Sequence, residues 1–277
     1  MQTSQETCVT FRLTGDKRPL ILLPVFVDGR GPFSFVLDTG AGPTLISNEL
    51  ADALALPRGE EQDGQGAVGK MILVKSELPS LTVGQETLES IPVSVTDLSF
   101  IGRADGARVD GNLGHSFLRH FAMTLDYATN ALTLRRPIGG AERALGESEI
   151  AFQSPHADNT LVVVPVFVND KGPYDFVLDT GASRTAISLK MAAEFGLAAE
   201  KIIPLTGGGG SVNASQVRLS SLRVGAARQE NLAAAASDFL TQLNATLGTT
   251  LQGIVGYNFL RHYRVTLDYP RATLNLE

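Results

Sequence analysis

The chain carries one pattern twice. LPVFVDGRGPFSFVLDTGAGPTLIS, from Leu23 to Ser47, returns as VPVFVNDKGPYDFVLDTGASRTAIS, from Val164 to Ser188. LTVG at Leu81 to Gly84 returns as LRVG at Leu222 to Gly225, and GNLGHSFLRHFAMTLDY from Gly111 returns as GIVGYNFLRHYRVTLDY from Gly253. The offset is 141 at Asp38 and Asp179 and 142 at Gly111 and Gly253, so one residue has been gained across a half. Two long units, unlike many short ones, indicate an internal duplication and not a solenoid. Both halves are therefore expected to share one fold, with domains 1–140 and 141–277. The boundary near Gly140 falls in RRPIGGAERALGESE, Arg135 to Glu149, which is rich in charge, Gly and Pro and reads as a linker.

Within each half, short apolar and β-branched runs such as Leu20 to Val27, Ser34 to Leu37, Leu81 to Val83 and Met123 to Leu125 are punctuated by Gly, Pro, Asp and Asn, a β pattern. DGRGP and NDKGP read as hairpin turns. Short helices are expected at Asn48 to Leu54 and Leu189 to Phe195, behind the N-caps Ser47 and Ser188, and at Ser116 to Phe121 and Asn258 to Tyr263.

A length of 277 residues with 43% apolar and 19% charged side chains allows two ordinary cores. A net charge of −6, with acids and bases mixed along the chain, argues against nucleic-acid partners and a basic membrane surface. Cys8 is the sole cysteine, so it offers neither an internal disulfide nor a multi-cysteine metal site. Met1 to Thr10 is polar, and no run approaches membrane-spanning length, so no membrane insertion is expected. The compartment stays open: periplasmic or secreted if a signal peptide has been removed, cytoplasmic otherwise.

Each half places one LDTGA at the end of an apolar strand, Leu37 to Ala41 and Leu178 to Ala182. One DTG is a common turn, but two in register suggest a paired carboxylate site. Hydrolysing an amide requires water activation together with protonation of the amide, and two carboxylates about 3 Å apart can do both by sharing a proton. Asp38 and Asp179 are the catalytic candidates. Gly40 and Gly181 let the backbone turn beside them. Asp126 and Asp268, repeated in the LDY runs, read as turn residues. His120 and His262 repeat in the FLRH runs without metal-ligand spacing, so neither metal nor cofactor is expected. Arg119 and Arg261 are candidates for tying the catalytic loops or the junction of the halves by charge-assisted bonds. No G-x-S-x-G elbow anchors His115 or His156 as a base. A glycosidase would need its carboxyls about 5–9.5 Å apart.

These residues resemble the pepsin and retropepsin clan of aspartic peptidases, most closely the retropepsin-like domains of bacteria. The resemblance rests on DTGA, on Asn112-Leu113-Gly114 (one polar member) and Ile254-Val255-Gly256, and on the FLRH and TLDY runs, and it covers nearly the whole chain twice. It implies an all-β fold of two pseudo-symmetric retropepsin-like lobes with few short helices. It implies an aspartic endopeptidase acting on polypeptide, and a bond across the pseudo-twofold axis from Thr39 and Thr180. It also implies cleft-closing hairpin flaps, here Asp63 to Val74 with Gly66, Ala67 and Val68, and Thr206 to Val217 with Gly208, Gly209 and Gly210. The duplication favours a monomer working as an intramolecular pseudo-dimer. The alternatives are a weakly active peptide-binding module and a homodimer pairing DTG loops between chains. Pepsin-like members carry Ser or Thr after DTG, donating to an outer carboxylate oxygen. Ala41 and Ala182 cannot donate, so a mildly acidic optimum is expected unless another group, with Ser183 nearest in sequence, takes over.

Overall fold

The computed structural model describes residues 6–15, 19–102, 107–137, 145–153 and 160–277. The chain is strand-rich with limited helix, in two pseudo-symmetric sheet regions, and so is not purely β as the resemblance implied. The boundary near Gly140 lies outside the described residues, as does His156.

The first half builds an eight-stranded sheet in the order Arg12–Leu13, Ile21–Val27, Arg30–Leu37, Gly111–Leu113, Thr44–Ser47, Glu86–Thr96, Lys70–Val83, Glu61–Gln65. Pairing of Ile21–Val27 with Lys70–Val83 curls it back on itself. The second half repeats this with seven strands, Val163–Val168, Lys171–Leu178, Gly253–Val255, Ala186–Ser188, Ala227–Ser237, Gly210–Val224 and Lys201–Gly207, closed by the pairing of Val163–Val168 with Gly210–Val224. The turns joining the first strands follow their sequence: Asp28 and Gly29 sit at φ 48° and 69°, Asn169 and Asp170 at 50° and 63°. Successive positive φ values give the tight turn whose twist matches a β-hairpin, and Asn, Asp and Gly tolerate them best.

A third, six-stranded sheet joins the halves. Each contributes three strands: Glu6–Thr10, Ala131–Arg135 and Ala122–Asp126 from one, Arg264–Asp268, Thr273–Leu276 and Ile150–Ala151 from the other. Ala122–Asp126 and Arg264–Asp268 run antiparallel at its centre, with Thr124 opposite Thr266 and their hydroxyls 3.0 Å apart. Alternate residues of these strands, Met123, Leu125, Val265 and Leu267, are fully buried. They share one core with Phe35, Leu37, Phe117, Phe176, Leu178 and Phe259 from both halves. Each such side chain removed from water contributes about 1.5–3 kcal/mol, which makes the junction part of the core and not a hinge. The linker reading of Arg135 to Glu149 is too wide: Arg135 closes a strand, and Arg136 is bonded to Glu86 and to the Thr87 carbonyl.

The helices form where capping allows. Ser47 accepts from Leu50 N–H to start Asn48–Ala53, and Ser188 accepts from Met191 N–H to start Leu189–Glu194. The helices in the FLRH runs, His115–Leu118 and Tyr257–Leu260, begin one residue earlier and end sooner than expected, following Gly114 and Gly256. Phe239–Leu247, the longest described helix, was not foreseen from the sequence. It covers a second apolar cluster containing Leu161, Val177, Ile203 and Ile254. Among the described residues no helix is long and apolar enough to cross a membrane.

Candidate active site

Strands Arg30–Leu37 and Lys171–Leu178 each run inward and end on a fully buried leucine. The following loops meet between the halves. Each is held from behind by the three-residue strand passing beside it: Asp38 N–H donates to the Leu113 carbonyl (3.1 Å) and Asp179 N–H to the Val255 carbonyl (3.0 Å).

The threonines interlock. Thr39 Oγ1 donates to the Leu178 carbonyl (2.7 Å) and accepts from Thr180 N–H (3.1 Å), while Thr180 Oγ1 donates to the Leu37 carbonyl (2.8 Å) and accepts from Thr39 N–H (3.1 Å). Both residues are sealed from water, at 0% and 1% exposure. Four bonds in this enclosure fix the loops against each other.

Gly40 and Gly181 face the opposite carboxyls. A Cβ on Gly40 would stand 2.6 Å from Asp179 Cγ, and one on Gly181 would stand 2.6 Å from Asp38 Cγ. Each carboxyl thus lies on the other half's glycine, which brings Asp38 and Asp179 together. Gly40 N–H donates to Asp38 Oδ1 (2.9 Å); Gly181 and Ala182 N–H donate to Asp179 Oδ1 (2.7 and 3.1 Å). Both aspartates keep some surface open to solvent, although protein atoms ring the Asp179 carboxyl. Burial pushes Asp179 well above the usual carboxylate range. The adjacent Asp38 charge and the hydrogen bond to it push the same way, against the two backbone donors. Ala41 and Ala182 act through their carbonyls, which accept from His115 and Tyr257 N–H (2.9 and 2.8 Å) and seat the helices behind the loops.

Asn112 was not assigned a role from sequence. Its Nδ2 donates to Asp38 Oδ2 at 2.7 Å. This overturns the expectation that the first carboxyl lacks a donor on its outer oxygen; the donor comes from the neighbouring strand and not from the residue after DTG or from Ser183. The signal was a polar residue in the slot that the second copy fills with Ile254. The tyrosines of the LDY runs were also overlooked. Tyr127 and Tyr269 are held far above the usual phenol range, first by burial; next come Tyr257 and Asp179 for Tyr127, and Asp38 and Asp179 for Tyr269. The LDY aspartates take bland roles, Asp126 Oδ1 accepting from Ala128 and Thr129 N–H and Asp268 Oδ1 from Arg271 N–H. Arg119 and Arg261 do not tie the loops. They lie exposed with Nε 3.4 Å from Nε2 of His120 and His262.

Two long hairpins bring the Gly-rich tips together. Glu61–Gln65 with Lys70–Val83 presents Gly66, Ala67, Val68 and Gly69; Lys201–Gly207 with Gly210–Val224 presents Gly208 and Gly209, with Gly210 opening the return strand. Val68 N–H donates to the Gly208 carbonyl at 3.0 Å. Contact is close enough that a Cβ on Gly69 would stand 2.8 Å from the Gly209 carbonyl oxygen. Val68 and Ala182 pack on the same apolar cluster, so one tip is linked by continuous packing to the second DTG loop.

A family model described as aspartyl protease matches residues 23–117 and again residues 164–259. A comparison with curated proteins gives no match.

Proposed function

Given that the chain belongs to the aspartyl protease family, we propose that it is an endopeptidase with one active site, in which Asp38 and Asp179 activate water between two retropepsin-like lobes, 1–140 and 141–277. The observation that carries this reading is the packing of each carboxyl on the opposite glycine beneath a four-bond threonine interlock. Two carboxyls so close cannot both ionise, and the pair keeps one proton between them. The ionised member draws a proton from water, whose oxygen attacks the scissile carbonyl carbon. The protonated member donates to the carbonyl oxygen as it gains charge. The proton taken from water then passes to the amide nitrogen, the C–N bond breaks, and a hydroxyl of the collapsing tetrahedral diol returns its proton to the other carboxylate, restoring the singly protonated pair. Thr39, Thr180, Gly40, Gly181, Ala41 and Ala182 position the carboxyls.

The substrate is polypeptide in extended form, pairing its backbone with strands of the two hairpins. Gly66, Ala67, Val68, Gly208, Gly209 and Gly210 form paired flaps that open to admit it and close to exclude water. The touching tips and the shared apolar cluster support this reading. The chain is self-sufficient as a monomer, the halves acting as an intramolecular pseudo-dimer.

Turnover of an unstructured protein substrate across a pH series provides the test. Asp38→Asn and Asp179→Asn each abolish cleavage with an unchanged circular dichroism spectrum. Either variant cleaving as fast as wild type, or wild type binding the substrate without cleaving it at any pH, would overturn the proposal.

A further inference from the structure

The two halves are closely alike in sequence around the carboxyls, but one of their differences puts a polar residue in an apolar slot. Val36 and Leu37 pair with Asn112 and Leu113 as Val177 and Leu178 pair with Ile254 and Val255. At the same register, one half therefore offers an amide and the other a hydrocarbon. Ile254 is buried in the second apolar cluster, which shows what an apolar residue does in this slot. Asn112 is equally enclosed at 5% exposure, and its Oδ1 is buried with no hydrogen-bond partner among the described residues. A buried orphan oxygen destabilises the fold, and an aliphatic side chain would avoid that cost. What the amide gains is its bond to Asp38 Oδ2.

We propose that Asn112 is a positioning residue that makes the two carboxyls unlike, holding the negative charge on Asp38 and leaving the shared proton on Asp179. The inference rests on the aspartic peptidase reading above and assigns roles within it: Asp38 is the base toward water and Asp179 the acid toward the carbonyl. Geometry points the same way from both sides. Asp38 has a donor on each oxygen, Gly40 N–H on Oδ1 and Asn112 Nδ2 on Oδ2. Asp179 receives both of its backbone donors on Oδ1. An oxygen accepting from Asn112 cannot direct a proton of its own toward that amide. With the amide in this orientation Asp38 Oδ2 is the acceptor, and a donor on that oxygen favours the ionised carboxylate over the neutral acid. Burial and the neighbouring charge already make Asp179 reluctant to ionise.

The other titratable groups facing the pair are Tyr127 and Tyr269, with Tyr257 against Tyr127 and His115 against Tyr269, each pair with ring centroids 5.6 Å apart. Burial, then the Arg119 and His120 charges, hold His115 below the usual imidazole range.

The test is the pH profile of kcat/KM for Asn112→Leu, a near-isosteric change, on the wild-type and His115→Gln backgrounds. Loss of the donor destabilises the singly charged pair relative to the uncharged one. The acidic limb should therefore move up by about one pH unit. The basic limb should stay in place, because Asp38 is charged on both sides of that second ionisation. Adding Ile254→Asn to Asn112→Leu supplies a donor to the other carboxyl and should bring the acidic limb back down. In wild type, carbon-13 NMR of labelled aspartate carboxyls at optimal pH should find the proton on Asp179. Lower activity with both limbs unmoved, or the proton found on Asp38, overturns the role of Asn112. Activity retained in Asp38→Asn overturns the peptidase reading itself and this inference with it.

Discussion

Thr39→Val tests whether the threonine interlock holds the halves together. The substitution keeps the shape and deletes one hydroxyl, thereby removing two of the four cross-axis bonds: the donation to the Leu178 carbonyl at 2.7 Å and the acceptance from Thr180 N–H at 3.1 Å. Both partners lie in a region where Thr39 and Thr180 are almost wholly sealed, so water cannot readily replace the hydroxyl. Leaving a buried donor or acceptor unpaired costs about 1–3 kcal/mol, so for two such groups the expected loss is roughly 2–6 kcal/mol. For a chain of this size each kcal/mol lowers Tm by about 2–4 °C, giving a fall of roughly 4–24 °C. Thermal unfolding followed by circular dichroism, with activity measured well below Tm, separates the effects. Turnover should fall even where the variant is folded, because the carboxyls ride on these loops and small displacements are costly in catalysis. Thr180→Val should match it, since it deletes the symmetric pair of bonds. A change below about 0.5 kcal/mol, the level of an ordinary surface substitution, would refute the interlock as a structural element.

The remaining predictions address the carboxyls and the hairpins. Gly40→Ala places a methyl 2.6 Å from Asp179 Cγ and should reduce kcat by at least about a hundredfold, the scale associated with a 1 Å misplacement; near-normal kcat would show that the carboxyls need not approach so closely. Asp179 has a folded pKa raised above its unfolded value, so its ionisation destabilises the fold as pH rises from the unfolded toward the folded pKa. Asp179→Asn should therefore raise Tm at neutral pH, with the gain fading as pH falls to about 4; a lower Tm at neutral pH would contradict the assignment. Gly209 sits at φ 91° against Gly69, so Gly209→Val strains the tip and drives the two hairpins apart; kcat and KM should change together when measured well below Tm, and unchanged kinetics would remove the hairpin tips from gating.

The duplication made much of the architecture legible, because turn and cap chemistry is local. Asp28-Gly29 and Asn169-Asp170 mark their hairpins, and Ser47 and Ser188 mark their helices, without reference to the rest of the chain. The six-stranded sheet was hidden because strand partners are set by tertiary geometry: nothing in TLDY announces that Thr124 faces Thr266. Helix Phe239–Leu247 was missed because it lies outside the repeated stretches. The repeat singled out the DTG loops, which the structure brings together between the halves, but the same reliance on symmetry hid Asn112. A polar residue in an apolar slot is visible in sequence, while its bond to Asp38 appears only once the strand register is known.

The central claim, one site made from two halves, is tested most directly by calorimetric titration with a hydroxyl-bearing, statine-type mimic of the tetrahedral intermediate. Wild type should bind one mimic per chain, and Asp38→Asn and Asp179→Asn should each lose that binding. Two mimics per chain, or full affinity retained in either variant, would contradict the claim.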